Sequence, residues 1–285
     1  MRKKKKPMKL RLLPIGIAIG AVFVVAVTIM LITILSQNYI IQENIKATTI
    51  DENTDVSKAN IIIINDLVIG GLQDNSWISA DKIYSSNIVG DGISIDMFSK
   101  TAKYGTFNTS IFKYNKKNNI VYTTTTKVPT PEEYIAISAT DNYINPILKE
   151  SKAQDSDIKN VKKALGKYRL FNNTIKIVAT YDTFIKQGVA GRIIVVTSES
   201  NFFGTYSAII YVEQDKACLV KYAYVKNSEK SVSWPIYAAN FAIDLDNDGI
   251  SELIMQETTE TTTSYTIMKY EEEKFVEVLK HTIKL

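Results

Sequence analysis

Between Asp244 and Glu252 the chain reads Asp-Leu-Asp-Asn-Asp-Gly-Ile-Ser-Glu, with carboxylates at the first, third, fifth and ninth positions and glycine at the sixth. Oxygen ligands at that spacing suit a hard divalent cation. Calcium takes roughly 6–8 oxygens at about 2.3–2.6 Å, and glycine permits the tight turn that aims them inward. The expected ligands of one structural Ca2+ are Asp244, Asp246, Asp248 and Glu252 through their side chains, and Ile250 through its carbonyl oxygen. An acidic turn can also join two strands without any metal. Four crowded carboxylates nevertheless repel one another unless a cation neutralises them, which favours the calcium reading.

The loop departs from an EF-hand: position twelve is Met255, where a bidentate glutamate is required, and strand-like runs flank it on both sides. It resembles instead the short calcium loops of FG-GAP and VCBS-type repeats, whose pattern is D-x-D-x-D-G-x-x-[DE]-[LI]. Asp244, Asp246, Asp248, Gly249, Glu252 and Leu253 stand at its fixed positions, and a looser likeness extends to Val278. The resemblance implies a cation held between two strands of an extracellular β module. Such repeats occur in tandem, and here an internal similarity at an offset of 59 residues lays 193–213 over 252–272. Tyr206 then meets Tyr265, Ile209 meets Met268 and Glu213 meets Glu272, while Ile185, Gln187, Val189 and Ala190 stand opposite Asp244, Asp246, Asp248 and Gly249. The first copy keeps the hairpin pattern and lacks the metal ligands, which argues against a full propeller of four or more blades.

Groups for other chemistry are scarce. His281 is the only histidine and Cys218 the only cysteine, which removes histidine-dependent zinc sites and leaves no internal disulfide. Cys218 lies in the apolar run Ala217–Val220 and reads as a small core residue. No G-x-S-x-G, H-E-x-x-H, S-x-x-K or P-loop pattern occurs, so no catalytic and no organic-cofactor residues are assigned. Gly70-Gly71 reads as a turn ahead of Trp77, and Thr258–Thr263 as the tip of a polar hairpin.

The elements that would position the loop follow from the rest of the chain. Residues 1–11 carry seven basic and no acidic side chains and form a cytoplasmic tail. Residues 12–35 are 24 uncharged, mostly apolar positions, roughly 36 Å of helix at 1.5 Å per residue and long enough to span a bilayer. The basic flank keeps the N-terminus inside and sends the remainder outward across the plasma membrane. The apolar run is too long for a signal peptide, has no small-residue cleavage site, and is followed by no cysteine for lipid attachment. Residues 36–59 are a polar stalk. Residues 60–154 read as a β-rich subdomain, 155–166 as a connecting helix with Ile158, Val161 and Leu165 on one face, and 167–285 as a second subdomain of hairpins.

The fold class expected is therefore mainly β, with one clear helix beyond the membrane segment. Outside the tail, 27 basic residues face 30 acidic ones, so the overall charge of +4 is a topology signal and gives no basic patch for nucleic acid. The functional expectation is a membrane-tethered, non-enzymatic extracytoplasmic module that binds an envelope polymer or another protein. The alternatives are a hydrolase of envelope polymers using carboxylates alone, and a sensor or assembly partner acting through the spanning helix.

Overall fold

A computed structural model of the chain describes residues 58–86, 91–115, 120–125, 131–138, 147–166, 174–198, 205–225 and 235–285. The expected tail, spanning segment and nearly all of the stalk lie outside these residues. Among the described residues no helix is long and apolar enough to cross a membrane. The described residues form one compact unit, mainly β, built on three antiparallel sheets.

The first sheet contains β1 (Asn60–Ile64), β2 (Leu67–Gln73), β3 (Ser76–Ser79), β4 (Ser94–Phe98), β5 (Lys103–Asn115), β6 (Ile120–Thr125) and β7 (Ile135–Ser138), in the order β1-β7-β4-β5-β6-β2-β3. β1 also pairs with β2, so six strands return on themselves and β3 lies outside. The second sheet is a meander of β8 (Leu148–Glu150), β9 (Ile175–Thr183), β10 (Gly191–Ser198), β11 (Thr205–Glu213) and β12 (Lys216–Val225). The third is a meander of β13 (Ile236–Ile243), β14 (Glu252–Thr258), β15 (Thr262–Glu271) and β16 (Lys274–Lys284).

The third sheet lies between the other two. Phe241, Ile243, Ile254, Ile267 and Leu279 face Ile62, Ile64, Ile69 and Trp77 of the first sheet. Ala239, Leu253, Met255, Met268 and Phe275 face Tyr181, Ile193, Val195 and Tyr211 of the second. A strand covered on both faces needs apolar side chains in both alternating sets, which is why Phe241–Ile243 and Leu253–Met255 are unbroken apolar runs. The same logic explains Ile61–Ile64. Ile62 and Ile64 point to the third sheet, whereas Ile61 and Ile63 point to a separate core closed by Ile83.

Ile83 belongs to α1 (Ala80–Ser85), a short helix that its sequence does not announce through periodicity. Its start is nonetheless marked: the Ser79 Oγ accepts from the Lys82 N–H at 3.4 Å, and Asp81 lies in the first turn. The second helix, α2 (Asp155–Gly166), has the expected bounds. It leads from β8 to β9 and seats Val161, Ala164 and Leu165 on the outer face of β10–β12. Arg192 of β10 fixes its first turn, with Nε 2.8 Å from Asp157 Oδ1 and Nη2 2.9 Å from Oδ2.

Gly70 and Gly71 are not a turn but lie in the middle of β2, correcting the sequence expectation. A glycine inside a strand marks close approach of another element. A Cβ on Gly70, whose φ is +153°, would lie 2.5 Å from the Ile78 carbonyl oxygen and 2.6 Å from Leu279 Cδ2 on β16. Gly70→Ala is therefore expected to wedge the first and third sheets apart and cost about 2 kcal/mol or more, read as a lower denaturant midpoint at unchanged slope.

The internal similarity has a structural counterpart. β9–β12 and β13–β16 are successive antiparallel meanders whose bounds agree, at the offset of 59, within two residues. The pairing shifts between Ile209 and Ile210 in one and between Ile267 and Met268 in the other, and the tight turns that follow place Gln214 and Glu272 at φ 53° and 48°. The first hairpin loops diverge. Gly188 (φ 75°) and Gly249 (φ 84°) are their left-handed glycines, and Ala190, opposite Gly249 in the sequence comparison, is not.

Candidate metal centre

The acidic loop is the β13–β14 connection, closed by the pairing of Ile243 with Glu252. Leu245 is buried in the core shared by the first and third sheets and anchors the loop from within. Asn247 at φ 57° and Gly249 at φ 84° reverse the chain; asparagine and glycine tolerate that region best. The backbone then turns its amides toward the carboxylates. Asp244 accepts from the Asp248 N–H at 3.2 Å and the Gly249 N–H at 2.9 Å, and Asp248 Oδ1 accepts from the Ile250 N–H at 2.8 Å.

Of the five expected ligands, the fold brings three side chains together. Asp244, Asp246 and Glu252 each offer an oxygen within 4.8 Å of the others. Asp244 and Glu252 are buried, at 1% and 0% exposure. Asp248 lies at the rim, its side chain 35% exposed. Ile250 forms an isolated antiparallel bridge with Lys186, and the Ser251 N–H donates to the Ile185 carbonyl at 2.7 Å, so the acidic loop is pinned to the β9–β10 loop.

Lys269 of β15 is the member that the sequence reading missed. Its Nζ bonds Asp246 Oδ2 and lies 2.8 Å from Asp248 Oδ2. A register count could have found it. Thr258 pairs with Thr263 at the hairpin tip and Leu253 with Met268, so the next rung sets Glu252 beside Lys269.

The electrostatics follow from burial. Burial pushes the Glu252 carboxyl up to about 9, helped by the charges of Asp246 and Asp244 and opposed by the Leu245 N–H and Lys269. Burial also raises Asp244, against the N–H bond from Gly249. Burial works against the Lys269 ammonium, yet bonds from Asp246 and Asp248 hold it above its ordinary value. Glu252 Oε2 accepts from the Leu245 N–H at 2.8 Å, whereas Oε1 is buried with no hydrogen-bond partner. A fully enclosed carboxyl oxygen on a residue grouped with two more carboxylates is what a cation would satisfy.

The other chemistry-bearing residues lie elsewhere. His281 is on β16 opposite Tyr265, its imidazole lowered by burial. Cys218 packs partly buried against the core between the second and third sheets. Comparison of the chain with protein-family models, curated proteins and solved structures finds no match.

Proposed function

We propose that this chain is a membrane-tethered extracytoplasmic binding module, without enzymatic activity, whose β13–β14 loop holds a structural calcium ion. The observation that carries the cation is the buried trio Asp244, Asp246 and Glu252 with an unpartnered Glu252 oxygen among them. The basic residues 1–11 and the uncharged 12–35 support the tether, and the D-x-D-x-D-G spacing supports calcium over smaller cations. The ion would ligate Asp244, Asp246 and Glu252 inside and the Ile250 carbonyl at the rim, where Asp248 lies beside it. It would tie β13 to β14 and, through the Ser251–Ile185 hydrogen bond, to the sheet that packs against them. The outer surface would then present a stiffened β face to an envelope polymer or protein. A hydrolase built on these carboxylates gains little support, because Asp244 and Glu252 leave a polymer no exposed oxygen to meet.

The test is thermal unfolding of the full chain in non-ionic detergent, with calcium and with chelator, beside Asp246→Asn. A ligand at about one hundred times its Kd stabilises by about 2.7 kcal/mol, a rise of roughly 5–10 °C for a domain of this size. The rise should vanish in the Asp246 variant. An equal unfolding temperature with and without calcium in the unaltered protein would reduce the loop to an acidic turn.

A further inference from the structure

Lys269 occupies a position that a bound cation must contest. Its Nζ bridges Asp246, a member of the buried trio with only 4% of its side chain exposed, and Asp248 at the rim. The ammonium thus holds one deep carboxylate and one shallow one. It leaves Glu252 Oε1 without a hydrogen-bond partner, so one buried oxygen of the trio remains unmet while Lys269 is in place.

We propose that Lys269 is a tethered counter-ion that competes with the metal for Asp246, so that loading the loop moves the ammonium off Asp246 and onto Asp248. This rests on the cation reading above and adds how the site is tuned. A fixed positive charge touching a ligand oxygen opposes an incoming divalent ion, and its effect falls steeply with distance. The lysine therefore lets the loop keep its shape without metal and sets a weak affinity. The expected Kd is on the order of 10⁻⁴–10⁻³ M, the range of extracellular calcium modules. Asp248 serves as the receiving carboxylate because it already accepts the same ammonium at 2.8 Å and faces solvent.

The experiment is calorimetric titration of the full chain in detergent with CaCl2, comparing the unaltered protein with Lys269→Met and Lys269→Arg. Lys269→Met removes the charge and keeps an aliphatic stem, and calcium should bind on the order of tenfold more tightly. Lys269→Arg keeps the charge and should bind no more tightly than the unaltered protein. Lys269→Gln supplies a second neutral variant if the methionine form does not fold. Binding that is unchanged or weaker in both neutral variants, with calcium still bound by the unaltered protein, would overturn the competition and leave the cation site standing. Absence of calcium binding in every variant would remove both.

Discussion

Glu252→Gln is expected to raise the unfolding temperature of chelator-treated protein at pH 8 and to erase its response to calcium. The folded carboxyl is pushed up to about 9 by burial and by Asp246, from an ordinary 4.5. Between those values the unfolded chain has released the proton and the folded chain retains it. The stability from the protonated carboxyl is thus complete below about 4.5 and is lost as pH rises toward 9. Asp244, shifted upward by the same burial, adds to the slope. At about 1.4 kcal/mol per pH unit, the loss reaches about 3 kcal/mol or more by pH 8.

Glutamine is neutral at every pH, can keep an acceptor for the Leu245 N–H, and cannot contribute charge to a cation. In chelator the variant should unfold roughly 6–12 °C above the unaltered protein at pH 8, with the gap closing toward pH 5. In calcium the unaltered protein should recover while the variant does not move. Unfolding midpoints measured from pH 5 to 9 decide the matter: a variant less stable at every pH would mean that Glu252 is ionised and well compensated in the folded chain.

Arg192→Met should, by contrast, destabilise the chain strongly. Asp157 is wholly buried at the start of α2, and Arg192 satisfies both of its oxygens while reaching Asp182 Oδ1 at 2.7 Å and Ser151 Oγ at 2.9 Å. Removing one partner strands a buried charge, which costs about 3–5 kcal/mol. The unfolding temperature should fall by about 10 °C. Asp157 Oδ2 also accepts from the Gln154 N–H at 2.7 Å, a bond that asparagine can preserve. The double variant Arg192→Met with Asp157→Asn is accordingly expected to recover more than half of the loss. A double-mutant cycle by chemical unfolding measures it, and a coupling near zero would show an ordinary solvated ion pair.

Local patterns were legible where one periodicity or one turn chemistry decided them. Ile95 and Met97 alternate into β4, Asp155 to Gly166 bound a helix, and the polar threonines sit at the β14–β15 tip. The Gly70-Gly71 pair misled because local turn chemistry favours glycine, whereas here Leu279 and Ile83, both distant in sequence, require it. The face of α2 also shifted: Ile158 is only half-buried, and Ala164 takes its place against the sheet. Amphipathic periodicity points to a face but not to the surface that will meet it. α1 escaped notice because six residues are too few for a period to show.

By itself the sequence determined the β-rich class, the α2 helix, the spacing of carboxylates from Asp244 to Glu252 and the similarity between the last two meanders, all carried by neighbours along the chain. Tertiary structure alone decided that the third sheet lies between two others, that Asp248 stands at the rim while Asp246 goes inside, and that Lys269 reaches both. The physical reason is range. Side-chain alternation and loop spacing are set over a few residues, whereas burial, charge pairing and the raised carboxyl of Glu252 depend on which distant strands exclude water from the loop.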